Sequence, residues 1–269
     1  MSLDDLRAIA SVDRHDTRGV LGDFPEQCRR GRALRAAPAP SGGRPRLVVV
    51  AGMGGSASGG DMVAACASET LDVPILVHRG YGLPAAAGRD TLVVAVSYSG
   101  ETVEVLSAAE AALARRVPLV AVTAGGALGR LTGSRGLPRV TLPSGLMPRL
   151  ALGYLVFPLL AVAGAVPEMN HNEIEAWGGP AARGRHVVLL RDEGEAPEIA
   201  RRFELVRELV SPAAGGVSET WTRGRGRLAR ILSLAYASLW TSFYLSVLNG
   251  VDPWPVPMLD EVKRRLPLP

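Results

Sequence analysis

Lysine is all but missing from this chain, where Lys263 stands alone beside 29 arginines. Cysteine is nearly as scarce. Cys28 and Cys66 have neither CxxC spacing nor the pattern of a disulfide framework, which fits a reducing compartment and excludes a thiolate metal site. The opening Met1-Ser2-Leu3-Asp4-Asp5 lacks a basic start followed by an apolar run, so secretion is not expected and the cytoplasm is. Blocks of like charge are absent too. The formal charge is +4, but the arginines are interleaved with acids, and this excludes a nucleic-acid-binding face. No solenoid repeat or low-complexity tract is present. Two apolar stretches fall short of membrane spans. Ala151 to Val166 has 16 residues with Pro158 inside, short for a hydrocarbon layer of roughly 30 Å. Ile231 to Leu248 carries Ser238, Thr241, Ser242 and Ser246 at helical spacing. Both are expected to be buried helices.

What is present is the composition of a folded protein, 47% hydrophobic and 21% charged, in 269 residues that suffice for one or two domains. Residues 1–45 read as N-terminal helices and a Pro/Gly-rich linker. From Arg46 strands alternate with helices: strands at 47–51, 74–78, 91–96, 118–123 and near 138–142, helices at about 57–69 and 102–115. This spacing predicts a doubly wound, mostly parallel α/β sheet with helices on both faces. Residues 46–147 form that domain. Residues 148–269 read as a connecting helix from Pro148 to Val162, an incomplete second domain with one clear strand at His186 to Leu190, and helices at about 195–210, 224–248 and 257–266.

The chemistry concentrates where two of the strands end. Ser97-Tyr98-Ser99-Gly100-Glu101-Thr102 sets three hydroxyls at a strand-to-helix junction, where free N–H groups and the helix dipole favour an anion such as phosphate. The bland alternative is helix capping, with Ser99 as the N-cap. Capping accounts for one hydroxyl. The first strand empties into Gly52-Met53-Gly54-Gly55-Ser56-Ala57, whose glycines let backbone N–H groups approach a ligand. If the two strands are neighbours, Gly55 and Ser56 meet the same ligand as Ser97, Ser99 and Thr102. The loop also fits G-x-G-x-x-A, but a dinucleotide fold wants an acid after the second strand, where His78 and Arg79 stand.

Three further residues carry functional readings beside plainer ones. Arg149 opens an apolar helix, where a cation is poorly placed against the dipole, so a phosphate or carboxylate is expected to compensate it. His171, within Asn170-His171-Asn172-Glu173, is either structural or a proton-transfer group. Lys263 is either a chance survivor or an ammonium retained for work that guanidinium cannot do.

Taken in order, Gly-Met-Gly-Gly-Ser (52 to 56), Ser-Tyr-Ser-Gly-Glu-Thr (97 to 102), Pro-Arg-Leu-Ala-Leu-Gly-Tyr (148 to 154), Asn-His-Asn-Glu-Ile (170 to 174) and Asp252-Pro253 with Lys263 resemble the bifunctional phosphoglucose/phosphomannose isomerases of the sugar isomerase (SIS) superfamily. The resemblance implies an SIS-type αβα sandwich, a second SIS-like domain, and conversion of glucose 6-phosphate or mannose 6-phosphate to fructose 6-phosphate without metal or cofactor. It implies that Ser97, Ser99 and Thr102 grip the phosphate while Gly55 and Ser56 lie along the sugar. Arg149 would stabilise the enediol oxygens, His171 would assist ring opening from a neighbouring subunit, and Lys263 would act at the ring oxygen or a hydroxyl. A homodimer with a shared site follows, with no nucleic-acid or membrane partner.

At one place the chain departs from that family. The resemblance puts a second SIS domain, and the glutamate that moves the proton between C1 and C2, before the Asn-His-Asn-Glu motif. Here Gly164-Ala165-Val166 runs straight into Pro167-Glu168-Met169. Three alternatives stand open: a segment outside the present sequence, a protein that binds sugar phosphate without turning it over, or a base taken from Glu173 or Glu168.

Overall fold

A computed structural model describes residues 3–40, 43–67, 71–163 and 186–265. The chain divides into two compact units, Met1–Glu168 with Phe243–Pro269, and Met169–Ser242.

The first unit opens with three short helices, α1 (Leu6–Val12), α2 (Thr17–Gly22) and α3 (Phe24–Ala33). An aspartate stands at the start of each, and two of the three cap their helix through the side chain. Asp5 accepts the Arg7 and Ala8 N–H groups, and Asp16 accepts that of Gly19, satisfying donors that a helix start leaves over. A parallel sheet follows, from β1 (Leu47–Gly52), β2 (Ile75–His78), β3 (Thr91–Val96), β4 (Leu119–Thr123) and β5 (Arg139–Thr141), in the order β2-β1-β3-β4-β5. Near-continuous Val and Ala in β1, β3 and β4 are what a strand buried on both faces requires. All five strands stand where the sequence predicts them.

Side chains alternate across this sheet. Val49, Val93, Ala95 and Ala121 pack against Val105, Leu106 and Ala109 of α5 (Val103–Ala114) and Leu128 of α6 (Gly126–Ser134). On the other face α4 (Gly54–Ala67) lies so close that a Cβ on Gly60 would come within 2.8 Å of Val50 Cγ1. Behind α4 runs α7 (Leu152–Ala163), which packs against both α4 and α3. Its crossing with α3 is made by two glycines. A Cβ on Gly153 would meet Cys28 N at 2.9 Å, and one on Gly31 would meet Gly153 O at 2.7 Å. The predicted burial of this apolar stretch holds from Ala151 to Val156 and at Leu159, while Ala161 near its end is exposed. Its N-terminal end is a separate 3₁₀ turn, Pro148–Leu150.

Helix α6 was not expected from the sequence, because Gly126, Gly129 and Gly133 weaken its intrinsic propensity. Tertiary contact explains them. Gly129 and Gly133 leave room for the Arg139 guanidinium, which donates to Gly129 O at 2.7 Å.

In the second unit β6 (His186–Arg191) pairs in parallel with β7 (Gly216–Trp221), linked through α8 (Pro197–Val210). Strand β7 is absent from the sequence reading, which places no element between the helices at about 195–210 and 224–248. Arg191 ties the sheet to α8. Its guanidinium is buried between the rings of Phe203 and Trp221 and pairs with Glu195 and Glu219.

Helix α9 (Arg227–Leu248) runs from the second unit into the first, and α10 (Pro257–Arg265) follows it. Here the expectation of a buried helix is corrected. By length and composition α9 could cross a membrane, and only 17% of its most apolar window is buried. Leu232, Phe243 and Val247 are covered, while Leu245 and Leu248 are exposed. A helix is covered all round only when elements pack on every side, and among the described residues of the second unit there is one two-stranded sheet and the helix α8. The hydroxyls of Ser238 and Thr241 are satisfied within α9 by the carbonyls of Leu234 and Ala237.

Candidate active site

β1 and β3 are neighbours, with Gly52 paired to Val96. From β1 the chain turns one way to β2, and from β3 the other way to β4, so both loops open at the switch point of the sheet. Gly52 lets the chain turn tightly, since a Cβ there would press on Ala57 N at 3.1 Å. Helix α4 then begins earlier than expected, at Gly54. Gly54 adopts a φ of +50°, which favours a residue without Cβ. The α-carbon of Gly55 faces the 3₁₀ turn, where an added Cβ would lie 3.4 Å from Pro148 O and 3.6 Å from Arg149 Cα. Gly55, the buried Ser56 and the Arg149 backbone are thereby brought together.

The hydroxyl loop is organised differently from a cap. Thr102, not Ser99, is the N-cap of α5, and its side chain makes no capping hydrogen bond. Its Oγ1 instead lies 2.8 Å from Ser97 Oγ, which also accepts the Gly100 N–H at 3.0 Å. Ser97 is 1% exposed, Thr102 half-buried and Ser99 exposed, with Ser99 Oγ accepting the Glu101 N–H at 3.3 Å. Ser97 therefore works inward, holding the loop and the Thr102 hydroxyl. The first-turn N–H groups of α5 are left without a cap from Thr102, and with the helix dipole they form a site for negative charge.

This loop is locked to its neighbour by close backbone approach. Gly100 has φ +72°, and a Cβ there would collide with Gly125 O at 1.9 Å. Leu128 N donates to Gly100 O at 3.0 Å, and Glu101 Oε1 accepts the Ala127 N–H at 2.9 Å.

Arg149 is half-buried, and desolvation holds its pKa below the usual guanidinium value. The expected carboxylate is not its partner among the described residues. Its Nη2 donates to two backbone carbonyls, those of Pro253 and of Trp254, the latter at 2.8 Å. Carbonyl dipoles hold a cation without neutralising it, so the positive charge is retained beside the glycine loop.

Tyr98 was missed by the sequence reading. Its buried OH donates to Pro143 O at 2.6 Å and accepts the Leu146 N–H at 3.1 Å, linking the hydroxyl loop to the segment that leads into Arg149. The signal was an aromatic side chain set between two serines, but only burial assigns it a role. His171 lies outside the described residues. Lys263 lies on α10, and its side chain is outside them.

Residues 44–132 match the SIS domain, and residues 159–266 match the bacterial phospho-glucose isomerase C-terminal SIS domain. A hypothetical protein of Thermus thermophilus shares the fold with a TM-score of 0.64 at 18% identity, over 96% of this chain and 93% of that one. Glucosamine-6-phosphate deaminase of Thermotoga maritima does so with a TM-score of 0.54 at 14% identity, over 92% and 95%. Fold and loop geometry thus define an SIS-type α/β protein.

Two relatives narrow this class. The bifunctional phosphoglucose/phosphomannose isomerase of Pyrobaculum aerophilum is 39% identical over 286 residues, covering 82% of this chain and 87% of the relative. That of Caldicellulosiruptor bescii is 28% identical over 305 residues, covering 81% and 89%. The chain belongs to the bifunctional phosphoglucose/phosphomannose isomerase family, a family of sugar-phosphate isomerases. Both alignments are longer than the 269 residues available, so these relatives carry sequence with no counterpart here.

Proposed function

We propose that the chain is a cytoplasmic aldose-ketose isomerase that interconverts glucose 6-phosphate, mannose 6-phosphate or both with fructose 6-phosphate through an enediol. The observation that carries this reading is the arrangement at the switch point. An α5 start without a side-chain cap sits at the end of β3, beside the β1 loop whose Gly55 touches the Arg149 turn. In the proposed complex the phosphate accepts from the first-turn N–H groups of α5 and from Ser99 and Thr102, with Ser97 orienting Thr102. Gly55 and Ser56 line the sugar.

The isomerisation itself needs a base to take the C2 proton while C1=O gains electron density, and then to return a proton to C1 as the C2 carbonyl forms. No electrons leave the sugar, so no cofactor is required. Arg149 opposes the negative charge that develops on the enediol oxygens, in a half-buried position where such attraction is weakly screened. His171 and Lys263 serve ring opening, with His171 supplied by the neighbouring subunit of a homodimer. The resemblance assigns the proton-moving glutamate to a segment without counterpart here, and Glu168 and Glu173 are the carboxylates beside His171 that could replace it.

The length of the alignments favours a second reading, a sugar-phosphate sensor that binds without turnover. A missing general base lowers rates by about 10²- to 10⁴-fold while sparing affinity. Fructose 6-phosphate formation from each aldose phosphate, measured beside direct binding, separates the two. Turnover of either sugar supports the isomerase, and tight binding with no product supports the sensor.

A further inference from the structure

The turn that holds Arg149 is itself held from the other end of the chain. Between α1 and α2, His15 Nδ1 lies 3.0 Å from Asp252 Oδ2. A carboxylate only accepts, so the imidazole nitrogen donates. The same ring stacks on Trp254, with centroids 5.5 Å apart and planes 15° from parallel. Asp252 Oδ1 accepts the Trp254 N–H at 3.0 Å. One carboxylate thus joins His15 to the turn whose Pro253 and Trp254 carbonyls take the Arg149 guanidinium.

The loop bearing His15 is itself braced. Asp13 accepts the Thr17 and Arg18 N–H groups at 2.8 Å each, and Asp16 caps α2 through Gly19. The Asp252 side chain is 16% exposed and that of His15 49%. A pair this close to solvent adds little to stability. Its geometric consequence is larger, because both acceptors of Arg149 lie on the three-residue turn that it clamps.

We propose that His15 is a positioning residue of the active site, acting through Asp252 and Trp254 to fix the two carbonyls that aim the Arg149 guanidinium. The N-terminal segment that carries His15 then bears on catalysis through Arg149. The proposal rests on the reading of Arg149 as the group that stabilises the enediol. Misaiming a transition-state partner lowers turnover far more than it lowers ground-state binding.

The test uses the full chain, with kcat and KM for the hexose 6-phosphates in the wild type, His15→Ala, His15→Asn, Asp252→Asn and the double variant His15→Ala with Asp252→Asn. The Arg149 Nε–H resonance, assigned by its loss in Arg149→Lys, is followed in each. His15→Ala and Asp252→Asn should each lower kcat about 10-fold, with KM within about twofold, and should shift that resonance. His15→Asn restores an N–H donor near the Nδ1 position and should recover most of the loss. The double variant should lose no more than the worse single one, as expected for residues acting through one contact. Unchanged kcat with an unmoved resonance, or losses that multiply in the double variant, overturn the proposal. If the wild type turns over neither sugar, the isomerase reading falls by itself. The Arg149 resonance and the affinity for 5-phosphoarabinonate, a carboxylate mimic of the enediol, then decide. A shifted resonance with weakened affinity upholds positioning, and no change in either removes it.

Discussion

Ser97, Ser99 and Thr102 have the same chemistry and three different positions. One is buried and bonds to another, one is half-buried at the N-cap, and one is exposed. Ser97→Ala with Thr102→Ala should weaken sugar-phosphate binding at least 10-fold by titration calorimetry. The accompanying stability loss should be that of the two hydrogen bonds Ser97 makes, to Thr102 and from the Gly100 N–H, about 1 to 3 kcal/mol. Unchanged affinity would return both hydroxyls to a purely structural role. Cys28 makes a separate prediction at this scale. Burial pushes its thiol up to about 11. The unfolded thiol ionises first as pH rises, so the unfolded state binds fewer protons and stability falls. Denaturant midpoints should decline from the ordinary thiol range toward pH 11, less steeply in Cys28→Ala.

Helices and loops decide whether those residues can cooperate. Helix α5 supplies donors only because its N-cap side chain is turned to Ser97, and the 97–102 loop keeps its path because Gly100 and Gly125 touch through backbone alone. Tyr98 extends this order to the segment before Arg149 by two hydrogen bonds. Tyr98→Phe leaves the Pro143 carbonyl and the Leu146 N–H without that partner, so unfolding should be easier by about 1 to 3 kcal/mol. The kcat should fall with little change in KM, since the variant loosens the approach to Arg149 and not the phosphate loop. A variant that loses stability but keeps kcat would confine Tyr98 to scaffolding.

For the molecule as a whole, the N-terminal helices, the parallel sheet and the last part of the chain form one unit, so residues 15, 149 and 252 meet although they are far apart in sequence. Helix α9 presents apolar surface along much of its length. The proposed shared site requires two copies of the chain. Sedimentation equilibrium should therefore return about twice the 28.3 kDa chain mass, and a particle of 28.3 kDa at working concentration would leave His171 without a route from a neighbour.

By itself the sequence determined the five parallel strands, the two loops at their ends and the order of the family motifs. Strand periodicity, glycine and hydroxyl chemistry act within a few neighbouring residues. Helix α6 and strand β7 were not legible, since the first has a glycine-rich composition that only its contact with Arg139 explains, and the second is defined by pairing to β6. That Thr102 is the N-cap, that Arg149 faces carbonyls instead of a carboxylate, and that His15 reaches Asp252 were decided only by tertiary structure. Each depends on which distant backbone comes within hydrogen-bond range. No local spacing encodes that distance.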